Sequence, residues 1–209
     1  MKNEEKLALI ERFKQHAGVK EILLSDVGYM QGMSGNGLTT EKGNENSWVD
    51  ISVMAVPANF FSFMNIPIEQ GRLPQTEKDI VVDNVWQEMQ KKDVIGMNLY
   101  SGNTDYTICG ISAPFQANVY NRSSGYAFLP YDPSVYIGHC YIKSHPGQQK
   151  EVARWIEKVY REMLPENITY QAKTFLNDIH VLQALEYNLK DIILFFAVIS
   201  IIITLLGVY

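Results

Sequence analysis

The sequence has few cysteines among its 209 residues, and their placement limits the chemistry that they can support. Only Cys109 and Cys140 are present, each within a strand-like run of residues. Two cysteines cannot build a disulfide framework, and no metal-ligand spacing surrounds either of them. A single bridge in an oxidising compartment is one interpretation, and a pair of buried free thiols is the favoured one.

The sequence also lacks an excess of basic residues. It has 18 Lys and Arg residues against 23 Asp and Glu residues, which gives a net charge of −5, and its basic residues are scattered. This balance argues against nucleic acid as a partner. It also argues against a peripheral domain that adheres to anionic lipid headgroups.

Catalytic motifs are missing as well, and none of the four histidines lies in a metal-binding pattern. His139 precedes Cys140, but neighbouring residues of a strand point to opposite faces, so the two cannot form a simple dyad. The glycines of residues 32–37 are not followed by the Lys-Ser/Thr pair of a phosphate-binding loop. We therefore predict no catalytic residues, no bound cofactor or metal, and no enzymatic activity.

The first residues of the sequence, 1–14, contain no apolar core of a secretory signal peptide. The domain is therefore expected either to lie in the cytosol or to follow a membrane helix that precedes this sequence.

The most distinctive feature that is present is an uncharged apolar run, residues 192–209. Its eighteen residues in a helix reach roughly 27 Å, close to the hydrocarbon thickness of a bilayer. We predict the start of a membrane span, with a buried core helix as the alternative, and we expect the sequence to stop at or just inside that span. The residues predicted to lie in the membrane are Ile192, Ile193, Leu194, Phe195, Phe196, Ala197, Val198, Ile199, Ser200, Ile201, Ile202, Ile203, Thr204, Leu205 and Leu206.

An amphipathic segment leads into this run without an intervening proline or glycine. Its apolar residues follow helical spacing, which predicts one long helix from about residue 175 onward, amphipathic outside the membrane and apolar inside it. The residues expected to couple the domain to the membrane through this stalk are Leu182, Leu185, Tyr187 and Leu189.

The remaining elements mix helices and strands without strict alternation, which favours an α+β fold. Helices are predicted at 4–17, 83–92 and 148–163, with a short one after Pro57. Strands are predicted at 19–25, 48–56, 80–82, 106–112, 126–130, 139–143 and 168–172, with extended pieces at 66–74 and 94–100.

Aromatic residues cluster in the middle of the chain, which favours a hydrophobic core, with a partner-binding surface as the alternative. The cluster comprises Phe60, Phe61, Phe63, Tyr120, Tyr126, Phe128, Tyr131 and Tyr136.

The same region carries a series of short motifs: an aromatic pair, an apolar strand, a Gly-Arg pair, an apolar strand ending near Asn84, an Ile-Gly turn and a Cys-Gly-Ile strand. In this order they resemble the extracytoplasmic core domain of the MacB/FtsX/LolE-type ABC-transporter permeases. Asp83 departs from the pattern, because asparagine is common there in the family. The residues that match the motifs, and that the resemblance makes structural, are Phe60, Phe61, Gly71, Arg72, Gly96 and Gly110.

The resemblance implies two lobes. A porter-like α/β lobe would comprise residues 1–56 and 131–175, a β-rich lobe would be inserted as residues 57–130, and residues 176–209 would form the stalk and the start of a transmembrane helix.

The resemblance also implies a location and a set of partners. The domain would face the periplasm or cell exterior from the bacterial cytoplasmic membrane. It would work with a cytoplasmic ABC ATPase, which hydrolyses the ATP, and with a second permease copy, the lipid bilayer and an extracytoplasmic protein partner. Movement of the membrane helices would be coupled to export or extraction of a substrate, or to activation of an outer partner.

Two other functions fit parts of the sequence. A tail-anchored cytosolic protein-interaction domain would explain an apolar run without a signal peptide. A membrane-tethered enzyme is disfavoured because no catalytic constellation is present.

Overall fold

The computed structural model describes residues 2–26, 28, 37–115, 125–164 and 174–207, and in the last range the side chains of residues 174, 176, 177, 188–201 and 204. The chain divides into two compact units, Met1–Tyr170 and Gln171–Tyr209. The predicted strand at 168–172 lies outside the described residues.

The described residues confirm the α+β fold. The helices are α1 (Asn3–Phe13), α2 (Phe60–Met64), α3 (Asn84–Gln90), α4 (Gln149–Met163) and α5 (Phe175–Gly207). The strands are β1 (Val19–Ser25), β2 (Leu38–Thr39), β3 (Trp48–Val49), β4 (Ser52–Val56), β5 (Ile68–Gly71), β6 (Asp79–Asp83), β7 (Asn98–Ser101), β8 (Thr104–Ser112), β9 (Tyr126–Pro130) and β10 (His139–Ser144).

The predicted strand at 48–56 is divided into β3 and β4, which corrects the sequence analysis. The N–H of Ile51 donates to the carbonyl of Val49 at 2.9 Å, so the chain turns between the two strands. Each then pairs with a different neighbour, β3 with β2 and β4 with β9. Alternation of apolar residues does not reveal such a turn, because both halves keep the same strand-like pattern.

An eight-stranded mixed sheet has the order β3-β2-β7-β8-β6-β9-β4, with β5 paired to β8. Strand β8 has three partners, since β7 and β5 pair with different halves of it while β6 runs parallel to it. The β6–β8 and β4–β9 pairs are parallel and the others are antiparallel.

Strand β6 lies at the centre of this sheet, and all five of its residues are buried. Its side chains alternate between two hydrophobic clusters, as the two-residue period of a strand requires. Ile80 and Val82 pack with Trp86 in one cluster, whereas Val81 packs with the phenylalanines of α2 in the other.

A second layer is formed by the antiparallel pair β1–β10 with α1 and α4. Leu9 and Phe13 of α1 and Val159 of α4 are buried against this pair. The helix predicted at 148–163 therefore packs one apolar face against this pair, whereas Met163 at its end is 41% exposed.

The sheets group the chain differently from the predicted lobes. Strands β2, β3 and β4 precede residue 57, yet they hydrogen-bond into the same sheet as β5 to β9. The two-lobe division at residues 57 and 130 stays a prediction.

Helix α5 forms most of the second unit and is continuous over 33 residues, as the sequence analysis predicted. At 1.5 Å per residue it is about 50 Å long. Across the described part of the chain, no helix combines the length and the apolarity that a membrane crossing needs. The placement of residues 192–206 in a membrane stays a prediction.

Both cysteines are free thiols, but only Cys109 is buried, and Cys140 is exposed. The prediction of two buried thiols is therefore wrong for Cys140. It lies near the start of β10, where the strand's side chains are exposed.

Replacing Phe60 by alanine tests the contribution of the α2 phenylalanines to the core. Phe60 is 0% exposed, so Phe60→Ala should lower the free energy of unfolding by about 3–5 kcal/mol. Val135→Ala is the control, because Val135 is 78% exposed, and its effect should stay within about 0.5 kcal/mol. Urea unfolding followed by circular dichroism measures both, and similar losses for the two variants would contradict this account.

Candidate functional site

The Gly-Arg motif lies where β5 crosses closest to β8. A Cβ atom on Gly71 would stand 2.3 Å from the carbonyl oxygen of Cys109, and Gly71 has a positive φ of 74°. A Cβ atom on Gly110 would stand 2.4 Å from the carbonyl oxygen of Arg72. Only glycine fits at both positions, because no side chain can displace a backbone carbonyl cheaply.

Arg72 closes the loop that follows β5 by binding Asp79. Its Nη1 donates to Oδ2 at 2.8 Å and its Nη2 to Oδ1 at 3.0 Å, a bidentate pair. The backbone N–H groups of Gln75 and Thr76 also donate to Asp79. The guanidinium and these N–H groups hold the pKa of the Asp79 carboxyl well below its usual range, although burial acts in the opposite direction.

Sequence reasoning singled out Arg72 but missed Asp79. Asp79 is 6% exposed and begins the central strand β6, so its carboxylate requires a partner. The available signal was an acidic residue next to an apolar strand, seven positions after the arginine of the Gly-Arg pair.

The aromatic pair Phe60-Phe61 lies in the second hydrophobic cluster. The ring centroid of Phe60 is 5.4 Å from that of Phe61, 5.5 Å from that of Phe128 and 5.6 Å from that of Phe115. Phe60, Phe61, Tyr126 and Phe128 are all buried, which confirms the core interpretation for them.

The other aromatic residues of the predicted cluster differ in their burial. Phe63 packs against the second cluster but is only partly buried. Tyr131 donates its hydroxyl hydrogen to the carbonyl of Tyr136, which is 54% exposed. Tyr120 lies outside the described residues.

Gly96 forms the predicted turn before β7. It has a φ of 82°, and a Cβ atom there would meet nothing within 4 Å. Its N–H donates to Ile108 O at 2.8 Å, which ties the turn to β8. Glycine is favoured here by backbone conformation and not by lack of space.

Asp83, the departure from the family pattern, caps α3. Its carboxylate accepts a hydrogen bond from the N–H of Trp86 at 3.1 Å. Burial raises the pKa of the Asp83 carboxyl, and the backbone N–H groups of Trp86, Tyr126 and Phe115 oppose that rise. An asparagine would keep the cap without burying a carboxylate.

The described residues bring together neither a set of metal ligands nor a His-Cys pair. In residues 2–26, 37–115 and 125–164, no three His, Cys, Asp or Glu side chains are placed to hold a metal ion. His139 stacks on Tyr141, two positions along β10, rather than facing Cys140. Of the predicted stalk residues, Leu189 is 55% exposed, and the side chains of Leu182, Leu185 and Tyr187 lie outside those described.

Replacing Arg72 tests the pair with Asp79. Arg72→Ala should lower the free energy of unfolding at pH 7 by about 1–3 kcal/mol, because a buried carboxylate loses its cation. The lowered pKa of Asp79 means that this stabilisation is present above about pH 4 and is lost as the pH falls below it. The difference in the free energy of unfolding between the native protein and Arg72→Ala, measured by urea unfolding, should therefore be smaller at pH 3 than at pH 7.

Lys78→Ala is the matched control, because it removes an exposed pair with Asp105. It should cost under about 1 kcal/mol. The assigned role of Asp79 would be contradicted if the free energies of unfolding of Arg72→Ala and the native protein differed as much at pH 3 as at pH 7.

Neither protein-family models nor curated proteins give a significant match to this chain. Solved structures are similar to it in fold. The periplasmic region of MacB from Actinobacillus actinomycetemcomitans superposes with a TM-score of 0.53 and 15% identity, over 75% of this chain and 73% of that one.

Two further solved structures are also similar to this chain in fold. A domain described as part of a permease from Porphyromonas gingivalis has a TM-score of 0.55 and 13% identity, over 80% of this chain and 85% of that one. The extracellular domain of the ABC-type transporter YknZ, from Gram-positive bacteria, has a TM-score of 0.52 and 12% identity, over 74% of this chain and 82% of that one. The fold of this chain is therefore that of a MacB-like periplasmic domain.

Proposed function

We propose that this chain is the outward-facing domain of an ABC-transporter permease subunit in the bacterial cytoplasmic membrane. The observation that carries the proposal is the fold, which is shared over about three quarters of the chain with three domains from MacB, a permease and an ABC-type transporter. The motif series from Phe60 to Gly110 also supports it, because its residues lie at a close backbone approach of β5 to β8 and in the core of that fold.

The apolar part of α5 is proposed to enter the membrane. Its side chains are exposed at every position from 192 to 198, and seven consecutive helical residues cover all sides of the helix. A helix that is apolar all round requires an apolar environment. Ser200 and Thr204 donate their hydroxyls to carbonyls four residues earlier, at 2.9 Å and 2.8 Å, so neither donor would be left unpaired in lipid.

The continuity of α5 supports a coupling role. The helix runs from Phe175 to Gly207 without a proline, and glycine occurs only as its last residue. An unbroken helix transfers tilt instead of bending, since sharp kinks arise mainly at proline, glycine or bulges. The proposed stalk, with Leu182, Leu185, Tyr187 and Leu189, would therefore pass movement between the membrane and the outer domain.

The proposed partners follow from this role. ATP would be hydrolysed by a cytoplasmic ATPase subunit or domain, and the permease would act in a pair with a second copy. The outer domain would deliver the movement to a transported substrate or an extracytoplasmic protein, without enzymatic chemistry of its own.

The topology of the chain tests this proposal. Cys140→Ser removes the exposed native thiol and leaves the buried Cys109, and Lys42→Cys then adds one exposed thiol in the turn after β2. A membrane-impermeant maleimide should label this variant in intact bacteria that express the protein with its native flanking segments. The Cys140→Ser parent is the control and should remain unlabelled.

Labelling of Lys42→Cys only after lysis would contradict the proposal. The domain would then face the cytosol, as the tail-anchored interaction domain requires.

A further inference from the structure

Helix α2 joins the eight-stranded sheet to the β1–β10 layer. Its phenylalanines pack into the cluster on one face of the large sheet, and that cluster also contains Leu23 of β1. Tyr141 of β10 packs against the same cluster. The helix is only five residues long, so it cannot be stable without the elements on both sides of it.

The beginning of α2 is held by Glu21 of β1. Asn59, which precedes the helix, donates through Nδ2 to the carbonyl of Ile22 at 2.9 Å and to Glu21 Oε1 at 3.3 Å. Ser62 donates its hydroxyl to the carbonyl of Asn59 at 2.9 Å, and the same hydroxyl lies 3.4 Å from that Glu21 oxygen. The Glu21 carboxylate therefore accepts a hydrogen bond from Asn59 and lies beside Ser62 at the start of α2.

The end of α2 is held by Lys143 of β10. Its Nζ donates to the carbonyl of Phe63 at 2.6 Å and to Asn65 Oδ1 at 3.4 Å. The same ammonium lies 5.3 Å from the centroid of the Phe63 ring. Asn65 ends the helix in the left-handed conformation, with a φ of 55°.

Glu21 and Lys143 are direct cross-strand partners in the β1–β10 pair. Opposite charges at such positions usually stabilise a sheet by pairing with each other. Here both are described residues, and no ion pair within 4 Å joins them. Instead the carboxylate accepts from Asn59 at the start of α2, and the ammonium donates to the carbonyl of Phe63 near its end. Negative charge at the start of a helix and positive charge at its end is the favoured arrangement.

We propose that Glu21 and Lys143 form a clamp on the two ends of α2, through which the β1–β10 layer and the eight-stranded sheet move as one body. Apolar packing alone would hold the layers together but would fix their relative position weakly, because it is non-directional. The directed hydrogen bonds at both ends of α2 set that position. The clamp is inferred from these contacts alone. Its role in transmitting movement rests on the proposed function.

Amide hydrogen exchange tests the clamp. Lys143→Met keeps most of the side chain's length but removes its ammonium, and it should speed exchange at the N–H groups of Phe63, Asn65 and Ile66 about tenfold. Lys158→Met is the control, because Lys158 pairs on the surface of α4 with Glu162, and it should leave those rates within about twofold.

Exchanging the two charges separates the clamp from an ordinary cross-strand pair. In Glu21→Lys with Lys143→Glu, the glutamate cannot donate to the carbonyl of Phe63, so exchange should stay as fast as in Lys143→Met. Native exchange rates in the swapped variant, or in Lys143→Met itself, would overturn the proposal.

A second measurement tests the transmission of movement in the complete permease with its ATPase. Spin labels are placed at Lys42→Cys in the turn after β2 and at Arg154→Cys on α4, in the Cys140→Ser background. The distance between the labels should not change on ATP addition in the otherwise native protein, and it should change or broaden in the clamp variant Lys143→Met. A distance that changes with ATP while the clamp is intact would overturn the single-body movement.

The two measurements also separate this inference from the proposed function. If no ATPase-driven movement exists in the assembly, the exchange rates still decide whether the clamp holds α2.

Discussion

The burial of Phe60 and Phe61 is the constraint on which the rest of this structure depends. Their rings fill the cluster between the central strands and the β1–β10 layer, where Leu23 and Tyr141 meet them. A five-residue helix supplies this contact, and it persists only because hydrophobic burial and tertiary hydrogen bonds offset the cost of forming it. Helix α2 thus contributes to the contact between the two sheets, beside the packing of Leu23 in the same cluster.

The Gly-Arg motif connects β5 to β8 and to the start of β6. The approach of Gly71 to Cys109 allows β5 to lie against β8, and Arg72 then reaches Asp79 at the start of β6. Among the described residues, no three His, Cys, Asp or Glu side chains are placed to hold a metal ion.

Much of this arrangement follows from the sequence, because its signals are local. Helical spacing locates α4 and α5, short strand-like apolar runs locate β8 and β9, and the motif order indicates the fold. Partners distant in the chain have no such signal: Asn59 binds the β1 strand across 37 residues and Lys143 binds Phe63 across 80. The break between β3 and β4 was missed for a similar reason, since pairing with different neighbours leaves no trace in apolar alternation.

Purification of the protein with its native flanking segments from bacterial membranes would test the central claim most directly. Mild detergent extraction should yield a complex with an ATPase subunit, or with an ATPase domain in the same chain, whose hydrolysis of ATP is inhibited by vanadate. A membrane-bound protein that is fully extracted, correctly folded and free of any nucleotide-hydrolysing component would contradict the account.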